Sequence, residues 1–242
     1  VILNAAEWRE RVVLITGATG GLGAAVTREF AGTSARLALV SRSAQALQAL
    51  VDEHGLPSER AFTMAADVTK PEQVNAIVEA IMARWKRVDV LLNTVGGWRG
   101  GQPVEEITLQ SWQHMLDLNL NSAFLLSRAV LPPMLETGWG RIVHVSSKTA
   151  VSPRAKQAGY AVAKMGLISL TEVIAAEVKR SGVTANVILP SIIDTPANRN
   201  NIPQADPSKW VAPEHIAATM RFLCSDTGAL LNGARIPIYG GV

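Results

Sequence analysis

Short β-branched runs alternate with longer amphipathic stretches along nearly the whole chain, and this rhythm narrows the possible folds most. Arg11–Thr16 (RVVLIT), Arg36–Val40, Ala61–Ala66, Val88–Leu92, Arg141–Val145, Val183–Leu189 and Arg235–Ile238 read as seven strands. Most are near-continuous apolar runs, the pattern of strands buried on both faces. Helical spacing is read between them: from the glycine cluster to about Ala31, over Ala44–Glu53, and from Pro71, where Val74, Ile77, Val78, Ile81 and Met82 recur. It is read again over Leu109–Leu135, over Tyr160–Arg180 and from Pro213, with Ser191–Pro213 a polar connection. Strand–helix–strand alternation implies parallel strands joined by right-handed crossovers. No composition break or linker interrupts it. Residues 1–242 are therefore expected to form one α/β domain, a doubly wound parallel seven-stranded sheet with helices on both faces. Ligands of such sheets bind beyond the carboxyl ends of the strands, so the residues just after each strand are the candidates.

Composition removes several alternatives. Hydrophobic residues are 48% and charged ones 18% of the 242, enough apolar surface for a sizeable core and too little charge for disorder. One cysteine, Cys224, excludes an internal disulfide. His54, His114, His144 and His215 show no paired ligand spacing, so no metal is expected. His114 and His144 are read as structural. The net charge of +3 is spread along the chain and does not suggest a nucleic-acid partner. No uninterrupted apolar run reaches the ~18 residues of a membrane span. The opening VILNAAEWRE lacks the order of a secretory signal, giving the expectation of a cytoplasmic protein.

After the first strand comes Thr16-Gly17-Ala18-Thr19-Gly20-Gly21-Leu22-Gly23, and then a helix. Gly17, Gly21 and Gly23 let the backbone turn tightly and approach a pyrophosphate without a Cβ in the way. The helix start offers free N–H groups and the positive end of its dipole to the anion. Gly17, Thr19, Gly20, Gly21, Leu22 and Gly23 are thus a candidate dinucleotide cradle.

The spacing TGxxxGxG is one of several features in fixed order. Asp67-Val68-Thr69 follows the third strand, and Asn93-Thr94-Val95-Gly96 the fourth. Asn119 follows Trp112, Ser147 ends the fifth strand, Tyr160-Ala161-Val162-Ala163-Lys164 forms YxxxK, and Pro190-Ser191-Ile192-Ile193-Asp194-Thr195 follows the sixth strand. In these features the chain resembles the short-chain dehydrogenase/reductase family from about residue 11 to its end. The resemblance implies a Rossmann-like fold and an NAD(P)(H)-dependent oxidoreductase that interconverts a carbonyl and a secondary alcohol. It implies that Asp67 and Val68 lie along the adenine, that Asn93 and Gly96 line the cofactor, and that Pro190, Ile193 and Thr195 flank its nicotinamide end. Thr94 stands where the family has Asn, and Ser191 where it has Gly, so hydrogen bonding is expected to differ at both turns.

Tyr160 and Lys164, four apart on a helix, share a face. A phenol titrates near 10, and a neighbouring ammonium together with the oxidised nicotinamide is expected to lower that value. Tyr160 could then exchange a proton with a substrate oxygen as general acid/base. Ser147 could hold that oxygen. The resemblance adds that Lys164 binds the nicotinamide ribose and that Asn119 holds a relay water.

The second strand ends Leu39-Val40-Ser41-Arg42-Ser43, with no acid to bind a ribose 2′-OH. Arg42 could pair with a 2′-phosphate, helped by Ser41 and Ser43, so NADP(H) is favoured and NAD(H) stays open. Gly96-Gly97-Trp98 and Asp194–Trp210 are similar to segments of dihydropteridine reductase, which leaves a C=N reductase as one alternative. A non-catalytic dinucleotide-binding protein is another. Arg99, Lys148, Arg154, Lys156 and Arg199 could make the cleft basic. Apolar positions spread wider than one face on Leu109–Leu135 and Tyr160–Arg180, and the resemblance implies a homotetramer acting on a small-molecule substrate, a carbonyl or alcohol.

Overall fold

The computed structural model describes residues 5–241. Val1–Asn4 and Val242, which the one-domain and signal readings include, lie outside the described residues. Seven strands run β1 (Val12–Thr16), β2 (Arg36–Ser41), β3 (Ala61–Ala65), β4 (Val90–Asn93), β5 (Gly140–Val145), β6 (Val183–Pro190) and β7 (Arg235–Ile238). They form one sheet in the order β3-β2-β1-β4-β5-β6-β7, and every pairing is parallel. The direction of winding reverses between β1 and β4, which opens a crevice at their carboxyl ends.

Alternate strand residues feed two separate cores. Val13, Ile15, Leu37, Leu39, Val90 and Leu92 pack with α1 (Gly21–Ala31), α2 (Ala44–Glu53) and α9 (Pro213–Cys224). Val12, Leu14, Ala38, Val40 and Leu91 pack with α3 (Pro71–Trp85), α5 (Ser122–Thr137) and α7 (Ala158–Glu177) on the other face. That two-sided burial is why the strands read as continuous apolar runs. β3 and β7 depart from the pattern because they are the edge strands, and their residues are only half-buried or exposed. Trp8, before the first strand, is also core: it meets Phe30 edge-on with ring centroids 5.0 Å apart. Cys224 is buried in the first core, as an apolar helix position would have it.

The expected single helix over Leu109–Leu135 is broken. α4 (Leu109–Leu116) runs into a π-helical turn, Asp117–Asn121, before α5 continues to Thr137, past Pro132 and Pro133. The Ser122 N–H reaches the Asp117 carbonyl, the wider spacing that defines a π turn. The expected helix over Tyr160–Arg180 begins earlier and ends sooner, at Ala158–Glu177. By length and a mean hydropathy of 1.3, α7 is apolar enough to cross a membrane. Its apolarity has a use within the fold, because α7 packs on β6 and α4. The polar connection after β6 holds a short helix, α8 (Pro196–Asn201), and α6 (Lys148–Val151) follows β5.

Candidate active site

The glycine loop closes tightly at the carboxyl end of β1. Gly17 sits at φ +74°, and a Cβ there would come within 2.9 Å of the Thr94 hydroxyl. A Cβ on Gly23 would lie 2.0 Å from the Gly17 carbonyl oxygen, and one on Gly21 2.6 Å from the Thr195 methyl. Leu22 is buried beneath the loop, while Gly20 and Gly21 are exposed and Thr19 is half-buried. No side chain caps α1, so its first-turn N–H groups stay open to an anion. A dinucleotide pyrophosphate fits this cradle, since the surface is bare backbone with donors pointing outward.

Residues after β4 lock onto the loop. The Thr94 hydroxyl donates to the Thr16 carbonyl at 2.8 Å, and the Thr94 N–H reaches the same oxygen at 3.1 Å. The replacement expected to alter this turn is thus one of its fastenings. Asn93 is buried at the end of β4 and accepts from the Thr16 hydroxyl at 2.9 Å and the Val95 N–H at 3.2 Å. Gly96 lies where a Cβ would come 3.0 Å from Lys164 Nζ and 3.1 Å from Asn119 Oδ1. Asn119, in the π turn, is buried and turned toward Gly97: its amide donates to the Gly97 carbonyl at 3.0 Å and to the Met115 carbonyl at 3.1 Å, and its oxygen accepts the Gly97 N–H at 3.1 Å. Both amide protons are engaged, so the Asn119 side chain clamps the loop after β4.

Ser147, Tyr160 and Lys164 come together at the carboxyl end of β5. Ser147 accepts the Thr149 N–H at 3.1 Å and so caps α6, which leaves its own proton to donate. The lowering expected from the neighbouring ammonium is not seen, while that expected from the oxidised nicotinamide requires the bound cofactor. Burial pushes the phenol up, a hydrogen bond with Ser147 only partly offsetting it. Lys164 Nζ stands 5.8 Å from the centre of the Tyr160 ring and donates to the Val145 carbonyl at 2.8 Å. Burial without a counter-charge brings the Lys164 ammonium down to about 8.

That depression makes stability depend on pH. The unfolded chain keeps the Lys164 proton up to its ordinary 10.5, while the folded chain sheds it near 8. Because the unfolded state then holds more protons, stability should rise with pH between those values. The gain across the window is roughly 3 kcal/mol. Urea unfolding at several pH values, compared between wild type and Lys164→Met, isolates it: the wild-type curve should rise more steeply. Equal slopes would show that Lys164 is not desolvated.

The adenine side is less crowded. Asp67 is half-buried and accepts from the Thr69 N–H at 3.0 Å and hydroxyl at 2.8 Å, which hold its carboxyl below the usual range. Val68 is buried beside it. Ser41 is buried, with its hydroxyl 3.4 Å from the Ser43 carbonyl, and Ser43 caps α2 by accepting from the Ala46 N–H. Both serines therefore have local duties, and Arg42 is exposed and bonded to neither. Across the crevice Pro190 ends β6 and Ile193 bridges to Val211. The Ser191 hydroxyl donates to the Tyr239 carbonyl at 2.6 Å, tying the altered turn to the end of β7. Thr195 caps α8 with its methyl against Gly21.

Of the cations expected to line a basic cleft, Arg199 is paired with Asp194 at 2.6 and 2.8 Å, and Lys148 lies 5.1 Å from the Tyr239 ring. Arg99 and Lys156 line a shallow cleft with Trp112, Met115 and Gly159, beside the start of α7. Trp98 is 58% exposed but folds back on Gly100 of its own loop. Sequence reasoning did not find the Gly97–Asn119 clamp or the Lys164–Val145 bond. Both join residues far apart in the chain, and only Gly96-Gly97 hinted at the first.

A family model described as short chain dehydrogenase matches residues 11–206. The D-threitol dehydrogenase of Mycolicibacterium smegmatis is 35% identical over 96% of this chain and 92% of its own length. The levodione reductase of Leifsonia aquatica is 35% identical over 97% and 95%. The 3-oxoacyl-[acyl-carrier-protein] reductase FabG of Vibrio cholerae is 32% identical over 96% and 97%. A solved Bacillus thuringiensis structure carrying a 3-oxoacyl-reductase designation superposes with a TM-score of 0.86 at 30% identity, over 96% of this chain and 98% of that one. Nothing in these likenesses supports the pterin-type or non-catalytic alternatives. The chain belongs to the short-chain dehydrogenase/reductase family and is an NAD(P)-dependent oxidoreductase of carbonyl and alcohol groups.

Proposed function

We propose that the chain is a single-domain carbonyl reductase/alcohol dehydrogenase in which Tyr160 exchanges the proton. The observation that carries this reading is the meeting of Tyr160, Ser147 and Lys164 beside the glycine cradle. The cofactor supplies or accepts a hydride at its nicotinamide when bound. Gly17 to Gly23 and the start of α1 would hold its pyrophosphate. Asp67 and Val68 would lie along the adenine, and Pro190, Ile193 and Thr195 along the nicotinamide end. Tyr160, kept protonated by burial, donates its proton to the substrate oxygen during reduction. Ser147 donates a hydrogen bond to the same oxygen, its acceptor side being engaged by Thr149. Lys164 places its ammonium 5.8 Å from the centre of the phenol ring. Asn119 holds Gly97, and through it the wall after β4. Assaying ketones, acyl thioesters and dihydropterins with NADPH and NADH tests the reading. Turnover confined to the dihydropterins would overturn it.

For the cofactor we propose NADP(H), on the strength of Arg42. It is exposed beside the cradle, and among the described residues no carboxylate forms an ion pair with it. Arg42→Asp removes a charge-assisted pair with the 2′-phosphate and adds a repulsion. The NADPH/NADH ratio of kcat/KM should fall by at least ~1.4 kcal/mol, about tenfold. An unchanged ratio would remove Arg42 from that role.

We also propose a homotetramer. Phe124 of α5 and Val162, Met165 and Val173 of α7 are all more than 40% exposed, and Leu230, before edge strand β7, is 96% exposed. Two apolar surfaces suit two kinds of two-fold contact. Light scattering at micromolar concentration should return about four times the 25.8 kDa protomer mass. A mass near the protomer's would refute it.

A further inference from the structure

The carboxyl ends of β1, β4 and β5 stand in register, with Thr16 opposite Asn93 and Asn93 opposite His144. All three are buried, as is Ser127 of α5. His144 Nδ1 is 3.4 Å from the Asn93 amide nitrogen, and its Nε2 is 3.0 Å from the Ser127 hydroxyl. The direction of every bond in this row follows from its two ends. The Val95 N–H can only donate, so the Asn93 atom facing it is the oxygen. The Asn93 NH₂ therefore faces His144, and an amide nitrogen also only donates. Nδ1 must then accept, and the ring proton sits on Nε2. Ser127 accepts that proton and is free to give its own to the Ala123 carbonyl, 2.8 Å away.

We propose that His144 is a positioning residue for the dinucleotide cradle: in its neutral Nε2–H form it sets the orientation of the Asn93 amide. The other tautomer would present a donor to the Asn93 NH₂. The amide would turn over, placing its NH₂ against the Val95 N–H. That mismatch falls beside Gly17, where a Cβ would lie only 3.2 Å from the Val95 nitrogen. The Asn93 oxygen also accepts from Thr16, the last residue before the loop. Complete burial and the neighbouring Lys164 charge keep the ring uncharged. His144 touches neither substrate nor cofactor in this role. It acts through Asn93.

The inference rests on the dinucleotide reading above, so the test has an arm independent of cofactor. In solid-state ¹⁵N spectra of the histidine-labelled full-length protein, with His144→Asn identifying the signal, the ring should be neutral and protonated on Nε2. A ring protonated on Nδ1, or charged at neutral pH, overturns the proposal. In the second arm NADPH and NADH affinities are measured by tryptophan fluorescence. His144→Leu leaves the Asn93 amide without its acceptor and should weaken binding about tenfold. His144→Asn restores an acceptor and should recover affinity to within about threefold of wild type. Equal weakening by both would mean that ring volume alone matters, and would overturn the proposal, as would full affinity in a folded Leu variant. Should the Leu variant not fold, Ser127→Ala removes only the far acceptor. Its spectrum should keep the ring protonated on Nε2, because the Asn93 NH₂ still faces Nδ1, with only the Nε2 signal moved by the lost bond; a switch to Nδ1 protonation counts against the proposal. If the wild type binds neither nucleotide, the cofactor reading fails while the spectrum still decides the bond directions.

Discussion

Tyr160→Phe should lower kcat by about three orders of magnitude, within the range that general acid–base groups supply. Cofactor affinity should change by only a few-fold. The substitution deletes one hydroxyl from a half-buried ring and leaves the aromatic body in place, 5.8 Å from Lys164 Nζ. The loss should appear in kcat and kcat/KM together, the mark of an interaction made in the transition state. Burial holds the phenol protonated through neutral pH. Reduction should accordingly stay level through neutral pH, decline as Lys164 sheds its proton near 8, and fall further only as the phenol ionises. Steady-state kinetics on a ketone accepted by the wild type check both points. Retention of more than a tenth of kcat by the Phe variant would show the proton comes from elsewhere.

Gly23→Ala should nearly abolish cofactor binding, by about a hundredfold or more. The added Cβ would stand 2.0 Å from the Gly17 oxygen and 2.9 Å from the Ala18 carbonyl carbon. These are backbone atoms, so no rotamer change relieves the contact. The loop must open, and several N–H groups aimed at the pyrophosphate lose their alignment at about 1 kcal/mol each. Overpacking should also cost the fold about 1–3 kcal/mol. Gly32→Ala is the matched control at the other end of α1. Its φ is −69° and an added Cβ meets nothing closer than 3.7 Å. Titration calorimetry with NADPH and NADH, alongside circular dichroism, distinguishes the two variants. A Gly23→Ala protein binding within threefold of wild type would mean the loop does not sit as described.

Much of the molecule is legible in the order of its residues because the relevant forces are local. Two-sided burial turns strands into apolar runs, and a 3.6-residue period marks the helices between them. The glycine loop is visible because the backbone turn at Gly17 and the crowding at Gly23 exclude side chains within a seven-residue span. Tyr160 and Lys164 are visible because one helical turn joins them. The edge position of β3 and the π turn at Asp117–Asn121 were not legible, since sheet position and a shift in helical spacing leave no periodic trace. Contacts between distant segments decided the rest. Asn119 reaches Gly97 across 22 residues, and Asn93 reaches Thr16 across 77. The Tyr160 proton affinity depends on burial by the whole fold, which outweighs the favourable Ser147 bond. Arg199 lost its place among the free cations to Asp194, a partner five residues away that only the α8 turn aligns. Sequence periodicity and steric exclusion determined the scaffold and the residue types at the site. Burial and long-range hydrogen bonding, which depend on what each group meets after folding, determined their charge states and orientations.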